Sequence, residues 1–191
     1  DIEDMAKEKN IPIYEAFEGT HIEDELLILS PEKQYYLSLL VSSEKTPLEM
    51  SSALQHDGTL LKFLESVKDF ALNILETWDI ETLRESETTS AENETSVILR
   101  GKVDGSGFIL TGDAGIGSLN RAIDYMEKIG ENIVEDISFY QVPHHGGRHN
   151  VSPSVLNRML GEKIEKGSSR HKVAFASVAQ NSSHPLKMVT N

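Results

Sequence analysis

The sequence of 191 residues contains no cysteine. This absence excludes a disulfide framework and any zinc site built on thiolates, so a bound metal would need histidine, aspartate, glutamate or water as ligands. The chain is nevertheless long enough for a single domain that buries its own hydrophobic core without covalent cross-links.

Basic residues are few, with 18 lysines and arginines against 31 aspartates and glutamates and a formal net charge of −13. This excess of acid argues against a protein that coats nucleic acid nonspecifically, because such binding depends on lysine and arginine neutralising the phosphates. It still allows a small local basic patch.

Long hydrophobic runs are also missing. The apolar stretches at 26–29 and 173–176 are far shorter than the roughly 20 residues that a membrane-spanning helix needs. No charged-then-apolar leader opens the sequence. We therefore expect a cytoplasmic protein that does not contact a membrane.

Both ends of the sequence have the character of cuts rather than natural termini. It begins with DIEDMAKEKN, without an initiator methionine, and it stops at HPLKMVTN, where a polar turn leads towards a further element. We expect a piece of a larger polypeptide.

The first 44 residues alternate between helical and strand patterns. Residues 2–10 predict a short helix, residues 11–17 alternate as a strand does, and residues 25–31 predict a strand that Pro31 ends. Residues 32–44 then repeat apolar side chains at helical spacing.

Residues 44–94 differ in character from the rest. Residues 44–58 are polar and rich in turn formers, and residues 60–78 have the apolar spacing of an amphipathic helix that packs on a sheet or a partner helix. Residues 81–94 carry almost no apolar side chain and many acids, which indicates a mobile loop or a disordered link. Residues 44–94 therefore combine polar turns, a predicted helix and an acidic loop.

The second half alternates strands and helices. We predict a hairpin with strands at 96–103 and 108–111, a helix capped by Ser118, a strand at 136–142, a helix at 152–164 and a strand at 171–178. This alternation is typical of an α/β layer structure.

Three of these strands are followed by side chains that bind metals. Asp113 follows FILTG, His144 and His145 follow FYQVP, and His184 follows VAFASVAQNSS. Strand ends in one sheet lie side by side, so these side chains can converge. A carboxylate and imidazoles at such an edge can hold Zn²⁺, Mn²⁺ or iron and activate bound water.

Each residue also has a simpler interpretation. Asp113 is equally suited to cap the following turn, and the histidine pair is equally typical of a solvent-exposed corner. Arg148 and His149 are ordinary solvated loop residues unless they meet a substrate phosphate beside the site, which makes them candidate substrate-binding residues.

The ordered set of motifs resembles a known family. Asn93 and Ser96, then Thr111-Gly112-Asp113, then His144-His145-Gly146, then His184-Pro185 are similar to the second half of a metallo-β-lactamase-fold hydrolase. The branch of the competence DNA-uptake protein and its free-standing relatives is the most similar. The resemblance covers about residues 93 to 187.

The resemblance implies a four-layer αββα sandwich, of which residues 1–191 would be a single incomplete domain with a helical and acidic-loop insertion at 44–94. Asp113 would bridge two metal ions, zinc or manganese, and His184 would be the late histidine ligand. One of His144 and His145 would contact a metal or protonate the leaving group, so both are candidate catalytic residues, and His145 is also a candidate metal ligand.

The implied activity is metal-dependent hydrolysis of a phosphodiester or nucleic acid by metal-activated water. One family feature is missing, because the signature H-x-H-x-D-H, which supplies most ligands, does not occur in this sequence. Either the signature lies upstream in a longer polypeptide, or the protein has lost it. In the second case we expect a catalytically degenerate module that binds a protein partner through the helical insertion.

Overall fold

The computed structural model describes residues 2–43, 45, 83–165, 167–168 and 171–177. The strands are β1 (His21–Ile22), β2 (Leu26–Ser30), β3 (Ile98–Val103), β4 (Ser106–Leu110), β5 (Ile137–Gln141) and β6 (Val173–Phe175). The helices are α1 (Ile2–Glu8), α2 (Lys33–Ser42), α3 (Ala91–Glu94), α4 (Ile116–Lys128), α5 (Ile133–Asp136) and α6 (Pro153–Leu160). The helix predicted at 60–78 and His184 lie outside the described residues.

The strands form one mixed sheet in the order β1-β2-β3-β4-β5-β6. Strands β1 to β4 pair antiparallel, whereas β4, β5 and β6 are parallel to one another. The parallel connections pass through α4 and α5 and then through α6, as right-handed crossovers in α/β sheets commonly do. The predicted α/β class is therefore confirmed. No helix of the described residues has the length and apolar character that a bilayer crossing needs.

The predicted hairpin is present as β3 and β4. Val103 pairs with Ser106, which leaves a two-residue turn at Asp104 and Gly105, the Asp-Gly pair that such turns favour. Gly101 lies opposite Phe108, and a side chain at Gly101 would overlap the Phe108 ring. The ring therefore lies across β3 on that face of the sheet.

One face of the sheet carries the core. Of the five apolar residues predicted for one face of α4, Leu119, Ala122, Ile123 and Met126 are fully buried, whereas Ile129 lies just beyond the helix and is 42% exposed. The buried residues pack in one cluster with sheet residues and with the inner face of α6; these partners include Leu27, Ile98, Ile109, Tyr140, Val155 and Met159. Burial of this stripe is the main force that holds the helices on the sheet.

The opposite face is apolar but stands apart from this core. Strand register places one row of side chains there, namely Leu99, Phe108, Leu110, Phe139, Val173 and Phe175. None of them belongs to the core cluster or packs against it. At the edge strand β6, Val173 and Phe175 are 59% and 54% exposed to solvent among the described residues.

Residues 11–17 were predicted to form a strand, and the structure contradicts this. They join no β-ladder with the described strands, and Ile11, Ile13 and Tyr14 are exposed. Alternation of apolar side chains yields a strand only where a neighbouring strand offers backbone partners and a surface that covers one face.

The N-terminus of α4 also differs from the prediction. Gly115, not Ser118, is the residue at the cap, and Ser118 lies buried inside the first turn. The carboxylate of Glu94 instead accepts the backbone N–H groups of Gly117 and Ser118, at 3.2 and 2.7 Å. A carboxylate from another element thus accepts hydrogen bonds from backbone N–H groups of the first helical turn, which have no partner within the helix.

Candidate functional site

The ends of β4 and β5 are tied together directly below the candidate residues. The buried Thr111 hydroxyl donates to the backbone carbonyl of Gln141 at 2.9 Å, and its backbone N–H donates to the Gln141 side-chain oxygen at 3.1 Å. Because the two strands are parallel, the turns that follow them emerge at the same edge of the sheet. We name these turns the Asp113 turn (111–115) and the histidine loop (142–150).

The backbone of Asp113 is fixed from two sides. Its N–H donates to the Ser96 hydroxyl at 3.2 Å, and its carbonyl accepts the side-chain amide of Asn150 at 2.8 Å. The carboxylate itself is free to meet solvent, since the Asp113 side chain is 52% exposed. Ser96, which the sequence analysis singled out together with Asn93, thus holds the backbone of Asp113.

His144 is the histidine that the structure brings to Asp113. Its backbone N–H donates to the carbonyl of Gly112 at 3.1 Å, and its Nδ1 lies 3.5 Å from Asp113 Oδ1. Nδ1 is shielded from solvent and, within the described part of the chain, has no hydrogen-bond partner. The structure thus places a shielded imidazole nitrogen beside a solvent-exposed carboxylate.

His145 points elsewhere. Its Nδ1 is hydrogen bonded to the backbone carbonyl of Ser177, directly after β6. The two imidazole rings are 5.8 Å apart between centroids and are tilted by 57°. The sequence left open which histidine approaches Asp113, and the geometry of the free chain selects His144 for that place. The role of His145 as a metal ligand stays a prediction.

The histidine loop has an unusual backbone. His144, His145 and Gly146 have consecutive positive φ angles of 44°, 57° and 84°, although a residue with a side chain rarely adopts this region. At His144 and His145 this conformation costs on the order of 1–3 kcal/mol each, and strained residues of this kind cluster at functional sites. At Gly147 a side chain would collide with Asn150 Oδ1 and the His144 ring, so the loop needs a glycine there.

The other two candidates, Arg148 and His149, lie on the same loop. His149 Nδ1 is 2.8 Å from Oε2 of Glu87, and Arg148 Nε donates to His149 Nε2 at 3.4 Å. Sequence reasoning missed Glu87, because it assigned residues 81–94 to a mobile link. An acidic stretch rich in serine and threonine carries no signal that one of its carboxylates will be buried.

The described part of that stretch, residues 83–94, is held in place by its carboxylates. Glu85 accepts the Ser154 N–H at 3.2 Å at the start of α6, Glu87 contacts His149, and Glu94 caps α4. The expectation of a mobile link is therefore wrong for these residues, which we name the acidic segment. Its carboxylates accept hydrogen bonds from the N-terminal turns of two helices and from an imidazole.

Several histidines do not join the site. His21 and His171 are exposed, whereas His56 and His184 lie outside the described residues. Among the residues that the structure describes, no group of three or more histidine or carboxylate side chains is placed to hold a metal ion. The structure thus assembles one carboxylate and one imidazole of the predicted set.

These two donor atoms fit a metal ion. Two ligand bonds of about 2.0–2.1 Å at a tetrahedral ion place their donor atoms about 3.3 Å apart, close to the 3.5 Å between His144 Nδ1 and Asp113 Oδ1. The unpartnered Nδ1 also suits a ligand, because a shielded polar atom is ordinarily paired.

Comparison with family models, curated proteins and solved structures finds no match to this chain.

Proposed function

We propose that this chain forms part of a metal-dependent hydrolase of the metallo-β-lactamase fold that acts on phosphodiesters, as a phosphodiesterase or nuclease. The observation that carries the proposal is the pairing of Asp113 Oδ1 with His144 Nδ1, 3.5 Å apart at the carboxyl edge of parallel strands. Together with the motif order at Asn93–Ser96 and His184-Pro185, this pairing favours a hydrolase over a solvated corner.

The two faces of the sheet support the four-layer αββα architecture. Helices α4 to α6 build the core on one face, while the row from Leu99 to Phe175 makes the other face apolar without joining that core. Two sheets that pack face to face both present apolar inner faces, about 10 Å apart. In the proposed sandwich a second sheet covers this row.

The proposal assigns the candidate residues the following roles. Asp113 and His144 would hold a metal ion, with His145 and His184 as further predicted ligands, and the bound metal would supply an activated water and neutralise developing charge. Ser96 and Asn150 position Asp113 through its backbone. Arg148 offers a guanidinium for a phosphate oxygen of the substrate.

The remaining ligands would come from outside this chain, because the sequence contains no H-x-H-x-D-H motif. By itself the chain is then expected to bind metal weakly and to be inactive. Tight stoichiometric binding of metal by the 191 residues alone would contradict this.

The test uses the complete natural polypeptide that contains this chain. Metal content is measured after purification, and hydrolysis is assayed with single-stranded DNA, RNA and cyclic nucleotides in added Zn²⁺ or Mn²⁺. We expect Asp113→Asn to lose bound metal and turnover together, whereas Asp24→Asn, an exposed aspartate in the turn between β1 and β2, retains both. A wild-type protein that holds no metal and shows no hydrolysis would contradict the proposal.

That last outcome would support the alternative function. The missing signature and the absence of a three-ligand group among the described residues favour a catalytically degenerate module. The insertion at 44–94, rather than the strand edge, would then be its functional surface and would bind a protein partner.

A further inference from the structure

A second pair of chemically active side chains lies on the histidine loop, beyond Asp113 and His144. Glu87 is the one charged residue that is buried among those described, at 8% exposure. Burying a carboxylate is unfavourable unless the group is paired, and its partner at 2.8 Å is the imidazole of His149, which is 41% exposed. The buried acid thus faces an imidazole that solvent and a substrate can reach.

The hydrogen bonds fix the tautomer of His149. A carboxylate only accepts hydrogen bonds, so Nδ1 of His149 carries the proton that is donated to Glu87. Arg148 Nε donates to the other ring nitrogen at 3.4 Å, so Nε2 carries a lone pair. This arrangement of carboxylate, imidazole and accessible Nε2 is the one that acid–base catalysis uses to orient a histidine and stabilise its imidazolium form.

The position of His149 ties it to the candidate site. The next residue, Asn150, donates its side-chain amide to the carbonyls of Asp113 and Ala114 at 2.8 and 3.2 Å, and its N–H donates to Gly147. The backbone next to His149 is therefore tied to the Asp113 turn. Within the described part of the chain, its ring contacts Glu87 and Arg148, and Arg84 lies 3.6 Å from Glu87.

We infer that His149 is the proton donor to the leaving oxygen of the substrate and that Glu87 is the residue that positions it. This inference rests on the proposed phosphodiesterase function. In the proposed step Arg148 turns from Nε2 to a phosphate oxygen of the substrate, and Nε2 then carries the proton that it delivers.

The proton balance of the step is simple. The oxygen of water forms a bond to phosphorus, the bond from phosphorus to the leaving oxygen breaks, and that oxygen takes the proton from His149 Nε2. The proton released by the attacking water passes to solvent, from which His149 is protonated again. An acidic phenol leaves as a phenolate and needs no such proton.

Comparing rates on two substrates with different leaving groups therefore distinguishes a proton donor from a residue with a purely structural role. In the complete polypeptide with added Mn²⁺, we expect His149→Ala to lower kcat about 100-fold on a dinucleotide, whose leaving group is a sugar alkoxide, but less than about threefold on bis(4-nitrophenyl) phosphate. Glu87→Gln should show the same selectivity to a smaller extent. Glu85→Gln, which removes an equal charge from the same segment but contacts Ser154, should leave both rates unchanged.

A second measurement does not depend on turnover. Nitrogen NMR of the imidazoles should find His149 protonated at Nδ1 in the free protein and should lose this preference in Glu87→Ala. The inference is overturned if His149→Ala lowers kcat equally on both substrates or on neither, or if Nε2 of His149 carries the proton in the free protein. None of these results contradicts the proposed hydrolase function. A wild type that hydrolyses neither substrate overturns both.

Discussion

The side-chain amide of Asn150 donates to the backbone carbonyl of Asp113 at 2.8 Å and so joins two turns that lie 37 residues apart in the sequence. The same amide reaches the carbonyl of Ala114 at 3.2 Å. Asn150 is almost fully buried, so solvent does not replace these contacts easily. Together with the hydrogen bond from the His144 N–H to the Gly112 carbonyl, this amide therefore sets the placement of Asp113 relative to the histidine loop.

Removing that amide should destabilise the protein measurably. Asn150→Ala leaves two shielded carbonyl groups without their donor, which typically costs about 1–3 kcal/mol of the free energy of unfolding. Denaturant titration measures this loss, and hydrogen exchange should accelerate in residues 111–115. Asn157→Ala removes an exposed amide that contacts Glu162, and its effect should stay within about 0.5 kcal/mol. Equal effects of the two variants would contradict this role of Asn150.

The cap that Glu94 provides to α4 gives a second prediction. Its carboxylate accepts the N–H and the hydroxyl of Ser118 at 2.7 and 2.6 Å and the Tyr35 hydroxyl at 3.2 Å. We expect Glu94→Ala to lower the free energy of unfolding by about 1–2 kcal/mol, as loss of a good helix cap does. Glu94→Gln should cost less, because it keeps an acceptor oxygen.

The control for this prediction is Glu8→Ala, which removes an exposed carboxylate at the end of α1. Its melting temperature should match that of the wild type. If Glu94→Ala melts at the wild-type temperature as well, the capping interaction contributes no net stability.

A third prediction concerns pH. The Ser43 hydroxyl, hydrogen bonded to Glu92 Oε1 at 2.6 Å, lowers the pKa of Glu92 from 4.5 to about 2. A carboxyl whose pKa is depressed on folding stabilises the folded chain above its ordinary pKa, and this stabilisation is lost as the pH falls through the folded value. The link between α2 and α3 should therefore weaken between pH 4.5 and about 2.

The measurement compares melting temperatures of wild type and Glu92→Gln as the pH is lowered. The difference between them should be constant at neutral pH and should shrink over that acidic window. A difference that does not change with pH would argue that Glu92 is not tied to Ser43 in solution.

Local patterns predicted most elements of the second half correctly. The Asp-Gly turn at 104–105, the apolar stripe of α4 and Ser152 with Pro153 at the start of α6 are signals that act within a few residues. The meeting of Asp113 with a histidine also followed from the sequence, because parallel strands end at one edge.

The features that the sequence did not predict depend on contacts between distant residues. The partners of Glu85, Glu87 and Glu94 are surfaces that exist only after folding, and composition assigns such acids to solvent. Which histidine faces Asp113 is set by positive φ angles at His144 and His145, which residue type does not dictate. Ser118 is a residue type that often caps helices, but here the Glu94 carboxylate accepts the N–H groups of the first turn of α4.

The acidic segment also bears on the order in which the molecule folds. Its contacts to His149 and Ser154 span 62 and 69 residues of sequence, whereas β3 and β4 close across a two-residue turn. Long loops close slowly because their chain entropy is lost before any contact forms. The hairpin is thus suited to nucleate the sheet, and the histidine loop acquires its carboxylate partner among the late events of folding.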